Sequence, residues 1–165
     1  MVELSMKTLI VLVSYHHMNT QKVADVFSKV LSAQIKTPQQ ISPEELQQFD
    51  LVGFGSGIYS DKNDQSLHDL VDKLPQVTNK KAFLFSTSGM PIGISGQNRL
   101  EEYTSKCHTT LREKLQSKGY RIVGEFSCAG FNTNQFLKWF GGINKGRPNA
   151  EDLKRAEAFA TKLKA

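Results

Sequence analysis

A strand, a polar turn and an amphipathic helix near the N-terminus constrain the fold more than any other feature. Residues 8–13 read Thr-Leu-Ile-Val-Leu-Val, an unbroken apolar run typical of a strand buried on both faces of a parallel sheet. Apolar residues then recur at the spacing of one helix face, at Val23, Val26, Phe27, Val30 and Leu31. Between the two segments lies a polar turn, which consists of Ser14, Tyr15, His16, His17, Met18, Asn19 and Thr20.

This turn between a strand and a helix is suited to hold a phosphate. Unpaired backbone N–H groups and the positive end of the helix dipole attract an anion at a helix N-terminus. The side chains of Ser14, Asn19 and Thr20 offer either a helix cap or donors to phosphate oxygens, and the two uses are compatible. The simpler alternative is that Asn19 or Thr20 is only an N-cap.

Strand and helix patterns alternate along the rest of the chain. Buried strands are predicted at 50–55, 81–85 and 120–126, with a short polar edge strand at 34–37. Apolar spacing predicts further helices over residues 67–74, 100–115 and 153–163, and a Ser42–Glu45 capping box predicts a short one. This alternation predicts an α/β fold, in which right-handed βαβ units build a parallel sheet covered by helices on both faces. One domain is expected to span residues 1–165.

The composition excludes several classes of protein. No apolar run approaches the ~18 residues of a membrane span, and the N-terminus lacks a signal-peptide pattern. The net charge is +5, but the basic residues are not interleaved with aromatic residues as in a nucleic-acid platform. Two cysteines are too few for a disulfide framework, which favours a reduced, cytoplasmic setting.

The cysteines and the isolated histidines receive structural interpretations. Cys107 falls on an apolar helix face and is expected in the core, while Cys128 is expected to be a packed thiol. His68 and His108 lie on predicted helices and are expected at the surface. The sequence shows no nucleophile–base pair and no metal-ligand spacing, so neither a catalytic residue nor a metal is predicted.

The loops that leave the carboxyl ends of the strands are rich in Gly, Ser, Thr and Asn. In open α/β sheets, ligands bind at that edge, where the chain reverses direction. The ligand is therefore expected where the loops beginning at Ser14, Ser56 and Ser86 meet. Residues 127–147 form a long irregular segment, and long loops in compact domains are usually functional.

Taken together, these features resemble the flavodoxin family over nearly the whole chain. The family's phosphate loop ends in Gly-Asn-Thr with Ala four residues later, and Met18-Asn19-Thr20 with Ala24 matches it except at Met18. The pair His16-His17 and the segment 141–148, which reads Gly-Gly-Ile-Asn-Lys-Gly-Arg-Pro, are similar to a branch of single-domain flavodoxin-like proteins.

The resemblance implies a flavodoxin-like three-layer sandwich with a five-stranded parallel sheet of order 2-1-3-4-5. It also implies that FMN is bound without a covalent bond and passes electrons between redox partner proteins. The implied FMN contacts are the turn 14–20, the segment formed by Ser56, Gly57, Ile58, Tyr59 and Ser60, and the segment formed by Ser86, Thr87, Ser88, Gly89 and Met90.

Within those segments, three side chains and one backbone group have expected roles. Ile58, Tyr59 and Met90 are candidates to line a flat slot for the flavin ring. Gly57 is expected to turn its peptide plane at low cost and to offer its carbonyl to flavin N5. Flavodoxins are typically acidic, whereas this chain carries a net charge of +5. The redox partners are therefore expected to present acidic faces. The protein itself is expected to be a monomer.

An enzyme on the same fold, an FMN-dependent NAD(P)H:quinone-type oxidoreductase, remains the main alternative. The aromatic residues of the 127–147 segment would then wall a substrate pocket, although they could equally pack that loop onto the sheet. A phospho-receiver needs acidic residues at its strand ends, but Ser14, Gly55 and Ser86 stand there. A nicotinamide-binding Rossmann domain needs Gly-x-Gly-x-x-Gly after the first strand, and that motif is missing there.

Overall fold

A parallel sheet forms the centre of the computed structural model, which describes residues 5–165. Its parallel strands are β1 (Thr8–Val13), β2 (Gln34–Lys36), β3 (Leu51–Tyr59), β5 (Lys80–Ser88) and β6 (Tyr120–Ala129). They lie in the order β2-β1-β3-β5-β6, and the short strand β4 (Lys62–Asn63) pairs antiparallel with the end of β3. Counting the parallel strands alone, this is the predicted order 2-1-3-4-5, so the predicted fold is confirmed.

The helices cover both faces of the sheet. They are α1 (Asn19–Leu31), α2 (Gln65–Asp72), α3 (Ile92–Cys107), α4 (Thr109–Ser117) and α5 (Ala150–Leu163), with 3-10 turns at Glu45–Gln48 and Gln135–Phe140. Helices α1 and α5 pack on one face, and α2 and α4 pack on the other. The single helix predicted over 100–115 is divided into α3 and α4 at His108, although the backbone there keeps a helical conformation and the His108 N–H donates to the Thr104 carbonyl at 2.9 Å.

Each face of the sheet has its own apolar core. On the α1–α5 side, the Phe27 ring makes edge contacts with Phe83, Phe85 and Phe126, at centroid distances of 5.0–5.6 Å. Strand β3 makes room for these rings, since a Cβ at Gly55 would lie 2.1 Å from the Phe85 ring. The glycines of β3 are therefore packing positions beneath the site as well as backbone positions.

Three strands extend beyond their predicted ends. Strand β3 continues to Tyr59, β5 to Ser88 and β6 to Ala129, so the loops predicted to begin at Ser56 and Ser86 begin later. These polar residues stay in register with their neighbours, with Ser56 opposite Ser86 and Ser86 opposite Ser127. Backbone pairing does not require apolar side chains, which explains why sequence patterning ended the strands too early.

The cysteines lie where they were expected, and two histidines do not. Cys107 and Cys128 are free and buried in the core. His68 and His108 are 3% and 1% exposed, so the prediction that both lie at the surface is wrong. Among residues 5–165, no helix is long and apolar enough to cross a membrane.

Candidate functional site

A small cleft opens at the carboxyl ends of β1, β3 and β5. Its volume is about 60 Å³. The three predicted loops meet here, together with a fourth segment that sequence reasoning did not place. The cleft is lined by His16, Asn19, Thr20, Gly57, Ile58, Tyr59, Thr87, Ser88, Gly89, Phe131, Asn132 and Asn134.

The turn between β1 and α1 presents backbone donors without acceptors. Within the described part of the chain, the N–H groups of Tyr15, His16, His17, Met18 and Thr20 have no hydrogen-bond acceptor. His17 and Met18 both adopt the left-handed backbone conformation, with φ near 53°. Unsatisfied N–H groups at a helix N-terminus form an anion site together with the helix dipole.

Ser14 takes the capping role, one of the two uses that the sequence allowed for its side chain. The N-cap residue of α1 is Met18, and its side chain makes no capping bond. Instead, the Ser14 hydroxyl accepts a hydrogen bond from the backbone N–H of Gln21, at 3.0 Å. Ser14 thereby caps the helix from the preceding strand end and leaves the earlier N–H groups of the turn free for a ligand.

Asn19 and Thr20 are both buried at the base of the cleft. The Asn19 amide donates to the carbonyl of Phe131 at 2.9 Å, while its Oδ1 has no partner among the described residues. The hydroxyl of Thr20 lies 2.8 Å from the hydroxyl of Thr87. Such a pair uses only one of its two hydroxyl hydrogens, so the second is available to an acceptor in the cleft.

Two tyrosine rings stack beside the cleft. The rings of Tyr15 and Tyr59 are 4.9 Å apart with an interplanar angle of 11°. Burial, and after it the neighbouring Tyr15, raises the pKa of Tyr59, which therefore stays protonated at neutral pH. Tyr15 is 61% exposed. The pair presents flat aromatic surface at the mouth of the cleft, as a planar ligand requires.

Gly57 is held more firmly than the sequence analysis expected. It belongs to β3, where it pairs with Thr87, and its carbonyl accepts a hydrogen bond from the Ser56 hydroxyl at 2.7 Å. Turning that peptide over would break this buried bond. The turn that follows contains Ser60 and Asp61, and it is their backbones that have positive φ.

The fourth segment, residues 130–134, contributes Phe131, Asn132 and Asn134 to the lining of the cleft and contacts the turn 14–20. The Thr133 hydroxyl lies 2.7 Å from His17 Nε2, and the Thr133 N–H donates to His16 Nε2 at 3.3 Å. The Phe131 ring lies 4.5 Å from the His17 ring. These contacts join positions more than 110 residues apart, and the only sequence signal was the unusual length of the loop.

His16 is held in its neutral form by this contact. Its Nε2 accepts the Thr133 N–H, so its proton resides on Nδ1. Burial is the main cause that lowers the pKa of His16, and the neighbouring His17 lowers it further. The His16 imidazole therefore supplies no fixed positive charge to the turn in this structure.

Several residues of the predicted site lie beside the cleft rather than in it. Ser56 is fully buried and accepts from the backbone N–H of Asp64 at 3.0 Å. Ser60 lies in the exposed turn after β3, and Met18 is 46% exposed. The carbonyl of Met90 accepts from the Asn144 amide at 2.6 Å.

Ser86 takes part in a buried polar network behind the cleft. Its hydroxyl lies 2.8 Å from His108 Nε2, and His108 Nδ1 lies 2.8 Å from the Glu125 carboxylate. Burial opposes the charge of Glu125, but hydrogen bonds from His108 and Arg112 outweigh it and lower the pKa of Glu125. Sequence reasoning saw no nucleophile–base pair, yet these groups have that connectivity.

This Ser86–His108–Glu125 network is structural rather than catalytic. A nucleophile must reach its substrate, and the Ser86 side chain is 0% exposed. The network joins the end of β5, the junction between α3 and α4, and edge strand β6. It therefore fixes the backbone of β5 immediately before the residues that line the cleft.

A doubly wound sheet with a turn of unpaired N–H groups after β1 and an aromatic-lined cleft beside it is the arrangement of a flavodoxin-like class of protein. The model of the Flavodoxin domain family matches residues 10–162. The chain therefore belongs to the flavodoxin domain family, as the sequence motifs predicted.

One relative and two solved structures are similar to this chain. An uncharacterized protein of Methanocaldococcus jannaschii is 44% identical over 158 residues, which cover 96% of this chain and 98% of that protein. The oxidised Flavodoxin 2 of Bacillus cereus has a similar fold, with a TM-score of 0.65, 19% identity, and coverage of 93% and 94% of the two chains. The NAD(P)H:quinone oxidoreductase of Methanothermobacter marburgensis also has a similar fold, with a TM-score of 0.60, 13% identity, and coverage of 98% of both chains.

Proposed function

We propose that this protein binds FMN without a covalent bond and carries electrons between redox partner proteins. The observation that carries the proposal is the turn 14–20, whose free N–H groups sit at the N-terminus of α1. The hydroxyl hydrogen left over by the Thr20–Thr87 pair adds a side-chain donor. These groups fit a phosphate dianion.

The residues around the turn would hold the rest of the cofactor. The unpartnered, buried Asn19 Oδ1 is an acceptor suited to a hydroxyl of the ribityl chain. Ile58, Tyr59, Gly89 and Met90 would border the ring, and Tyr15 would cover it from solvent. Bound FMN supplies one- and two-electron transfer, while the chain binds, orients and shields it.

A second candidate function is NAD(P)H:quinone reduction, which the similarity to the Methanothermobacter marburgensis structure raises. The arrangement of the long segment speaks against it. Phe131 lines the cleft, but the other three aromatic side chains, those of Phe136, Trp139 and Phe140, are 62–80% exposed and neither wall a pocket nor pack onto the sheet. We therefore favour the carrier.

Steady-state kinetics separate these two functions. The FMN-loaded protein is mixed with NADH or NADPH and a soluble quinone, without an added reductase. We expect no turnover above that of free FMN, and rapid quinone reduction once a flavodoxin reductase is added. Turnover at rates typical of enzymes, about 1–1,000 per second, in the absence of reductase would show that the protein is the oxidoreductase.

The affinity for FMN should depend on pH through His16. In the ligand-free structure burial lowers its pKa, whereas a phosphate within reach would raise it. Binding would then take up a proton, so affinity should rise as pH falls through 6.5 and level off near the free His16 pKa. Phosphate protonation, with a pKa of about 6, opposes the rise at the acid end.

Fluorescence titration of FMN from pH 8 to 5.5 measures this dependence. The control is a variant with His16→Asn and His17→Asn, whose affinity should change only through the phosphate. Identical profiles for the variant and the wild type would show that neither imidazole faces the ligand.

We further propose that the protein is a single-domain monomer of the cytoplasm. The free thiols of Cys107 and Cys128 are consistent with a reducing compartment.

A further inference from the structure

We propose that the surface around Gln135–Phe140 is a docking site for an acidic redox protein. We call it the aromatic–basic face and define it as Ile94, Phe136, Lys138, Trp139, Phe140 and Lys145. The proposal rests on the electron-carrier function argued above and adds where, and by what chemistry, a partner is recognised.

The apolar members of this face are unusually exposed. Ile94 is 90% exposed, Trp139 78% and Phe140 80%. Soluble proteins seldom leave large apolar side chains grouped at the surface unless they bind something. Trp and Phe are also enriched at the centres of protein interfaces.

The backbone beneath the face is well anchored. Gly141 ends the 3-10 turn in the left-handed conformation, and the Gly142 N–H donates to the Leu137 carbonyl at 2.8 Å. Asn144 ties the following loop to the start of α3, where its Oδ1 accepts from the Ile92 N–H at 3.0 Å. The aromatic side chains are thus presented by a bonded loop rather than by a free tail.

The face is continuous with the cofactor cleft. The 3-10 turn begins directly after residues 131–134, of which Phe131, Asn132 and Asn134 line the cleft. Thr133 of the same segment contacts His16 and His17. A protein seated on the turn would therefore lie beside the proposed flavin. A redox partner needs such proximity, since the electron has to pass between the two centres.

The charge of this side of the molecule selects the partner. Residues 14–24, 86–100 and 126–150 contain no Asp or Glu. Lys138 and Lys145 have no carboxylate partner among the described residues, whereas Arg147 is paired with Asp152. Of the acidic residues near the cleft, Asp61 accepts from the Tyr103 hydroxyl at 2.6 Å, and Asp64 accepts from the Ser66 N–H as the N-cap of α2. An acidic partner is attracted and a basic one repelled.

The size of the face fits a transient complex. Large aromatic side chains bury about 150–250 Å² each, so three partly exposed ones supply about 500 Å² on this side. The total, about 1,000 Å² for both partners, is in the range of weak redox encounters and short of an obligate dimer. We therefore commit to a small acidic electron-transfer protein rather than a second copy of the chain.

Stopped-flow kinetics with two probes of opposite charge test the proposal. Chemically reduced, acidic plant-type [2Fe–2S] ferredoxin gives one electron to the FMN-loaded protein, so its cluster is oxidised as the flavin is reduced. Basic cytochrome c is the probe of opposite charge. In that reaction the reduced, FMN-loaded protein gives one electron to the ferric haem of cytochrome c. We expect the second-order rate constant to fall with added salt for ferredoxin and to rise with added salt for cytochrome c.

Matched variants locate the surface. Lys138→Glu with Lys145→Glu should slow the ferredoxin reaction at low salt about tenfold or more. Trp139→Ser with Phe140→Ser should slow it severalfold at every salt concentration. The control, Lys29→Glu with Lys164→Glu, changes net charge equally at the C-terminal ends of α1 and α5. It should stay within about twofold of the wild type, since distant charges are screened.

FMN content, measured by absorbance after gel filtration, separates failure of this proposal from failure of the proposed function. Protein that retains no FMN refutes the carrier function itself. FMN-loaded protein refutes the docking face if it reacts with ferredoxin without the stated salt dependence, or if the face and control variants respond alike. Sedimentation with vesicles of phosphatidylcholine and phosphatidylglycerol adds a further outcome. Vesicle binding that Trp139→Ser with Phe140→Ser abolishes, with ferredoxin rates unchanged, would mark a membrane surface and overturn the proposal.

Discussion

Asp152→Asn is expected to lower the free energy of unfolding by about 3 kcal/mol, because it removes the charge that pairs with two arginines in a buried position. Asp152 is 1% exposed. Its carboxylate accepts from Arg147 Nη2 at 2.7 Å and from Arg155 Nη2 at 3.1 Å. In addition, it accepts the Asn149 N–H, completing the capping box that starts α5.

The same variant should also change the acid stability. Burial tends to raise the pKa of Asp152, but the bonds from Arg147, Asn149 and Arg155 outweigh it and hold the pKa below its ordinary value. A carboxyl with a lowered folded pKa contributes stability above its unfolded pKa, about 3.9. That contribution is lost as pH falls through the folded pKa. Asp152→Asn should therefore lose less stability than the wild type below pH 4.

Urea unfolding at pH 7 and at pH 3 measures both effects, and thermal unfolding should show a midpoint about 6–12 °C lower. Glu151→Gln is the matched control, because Glu151 precedes Asp152 in the first turn of α5 but is exposed. Its effect should stay within about 0.5 kcal/mol. Equal losses in the two variants would mean that the arginine pairs contribute nothing specific.

Periodicity was sufficient to predict the strands and helices, whereas the order of the strands in the sheet was implied by the resemblance to the flavodoxin family. The apolar runs of β1, β3 and β5 and the helix faces of α1 and α5 carry signals that hardly depend on distant residues. Periodicity could not predict which polar side chains are buried. Ser127 remains in β6 because its hydroxyl accepts a bond from Thr104 at 2.7 Å, and His108 is buried because Ser86 and Glu125 satisfy both ring nitrogens.

One part of the candidate site could be predicted from the sequence and another could not. The turn 14–20 is a contiguous motif, so its position after β1 follows from local sequence. The position of segment 130–134 could not be predicted, because it depends on contacts between residues more than a hundred positions apart. Phe131 contacts Asn19, and Thr133 contacts His16 and His17. The sequence likewise could not predict that the aromatic residues of segment 127–147 are exposed, since the same residues would suit a loop packed onto the sheet.

Thr20→Val is expected to weaken FMN binding about 10- to 100-fold while leaving riboflavin binding unchanged. Valine has nearly the same shape but lacks the hydroxyl that lies 2.8 Å from Thr87. A hydrogen bond to a charged group contributes about 1.5–3 kcal/mol, and each 1.4 kcal/mol is tenfold in affinity. The effect should be confined to the ligand that carries a phosphate.

Thr20→Ser, which retains the hydroxyl, is the control for this substitution and should bind FMN nearly as tightly as the wild type. Calorimetric titration of ligand-free protein gives both affinities, and circular dichroism checks that each variant folds. If Thr20→Val weakened FMN and riboflavin equally, Thr20 would shape the cleft rather than contact a phosphate.

The most direct test of the central claim is titration of the wild-type protein with FMN and with riboflavin under identical conditions. The turn 14–20 is proposed to hold the phosphate, the one group that riboflavin lacks. Two or more charge-assisted bonds from that turn correspond to at least about a 100-fold difference in affinity. We expect FMN to bind more tightly by that factor. Equal binding of the two flavins, or binding of neither, would contradict the account.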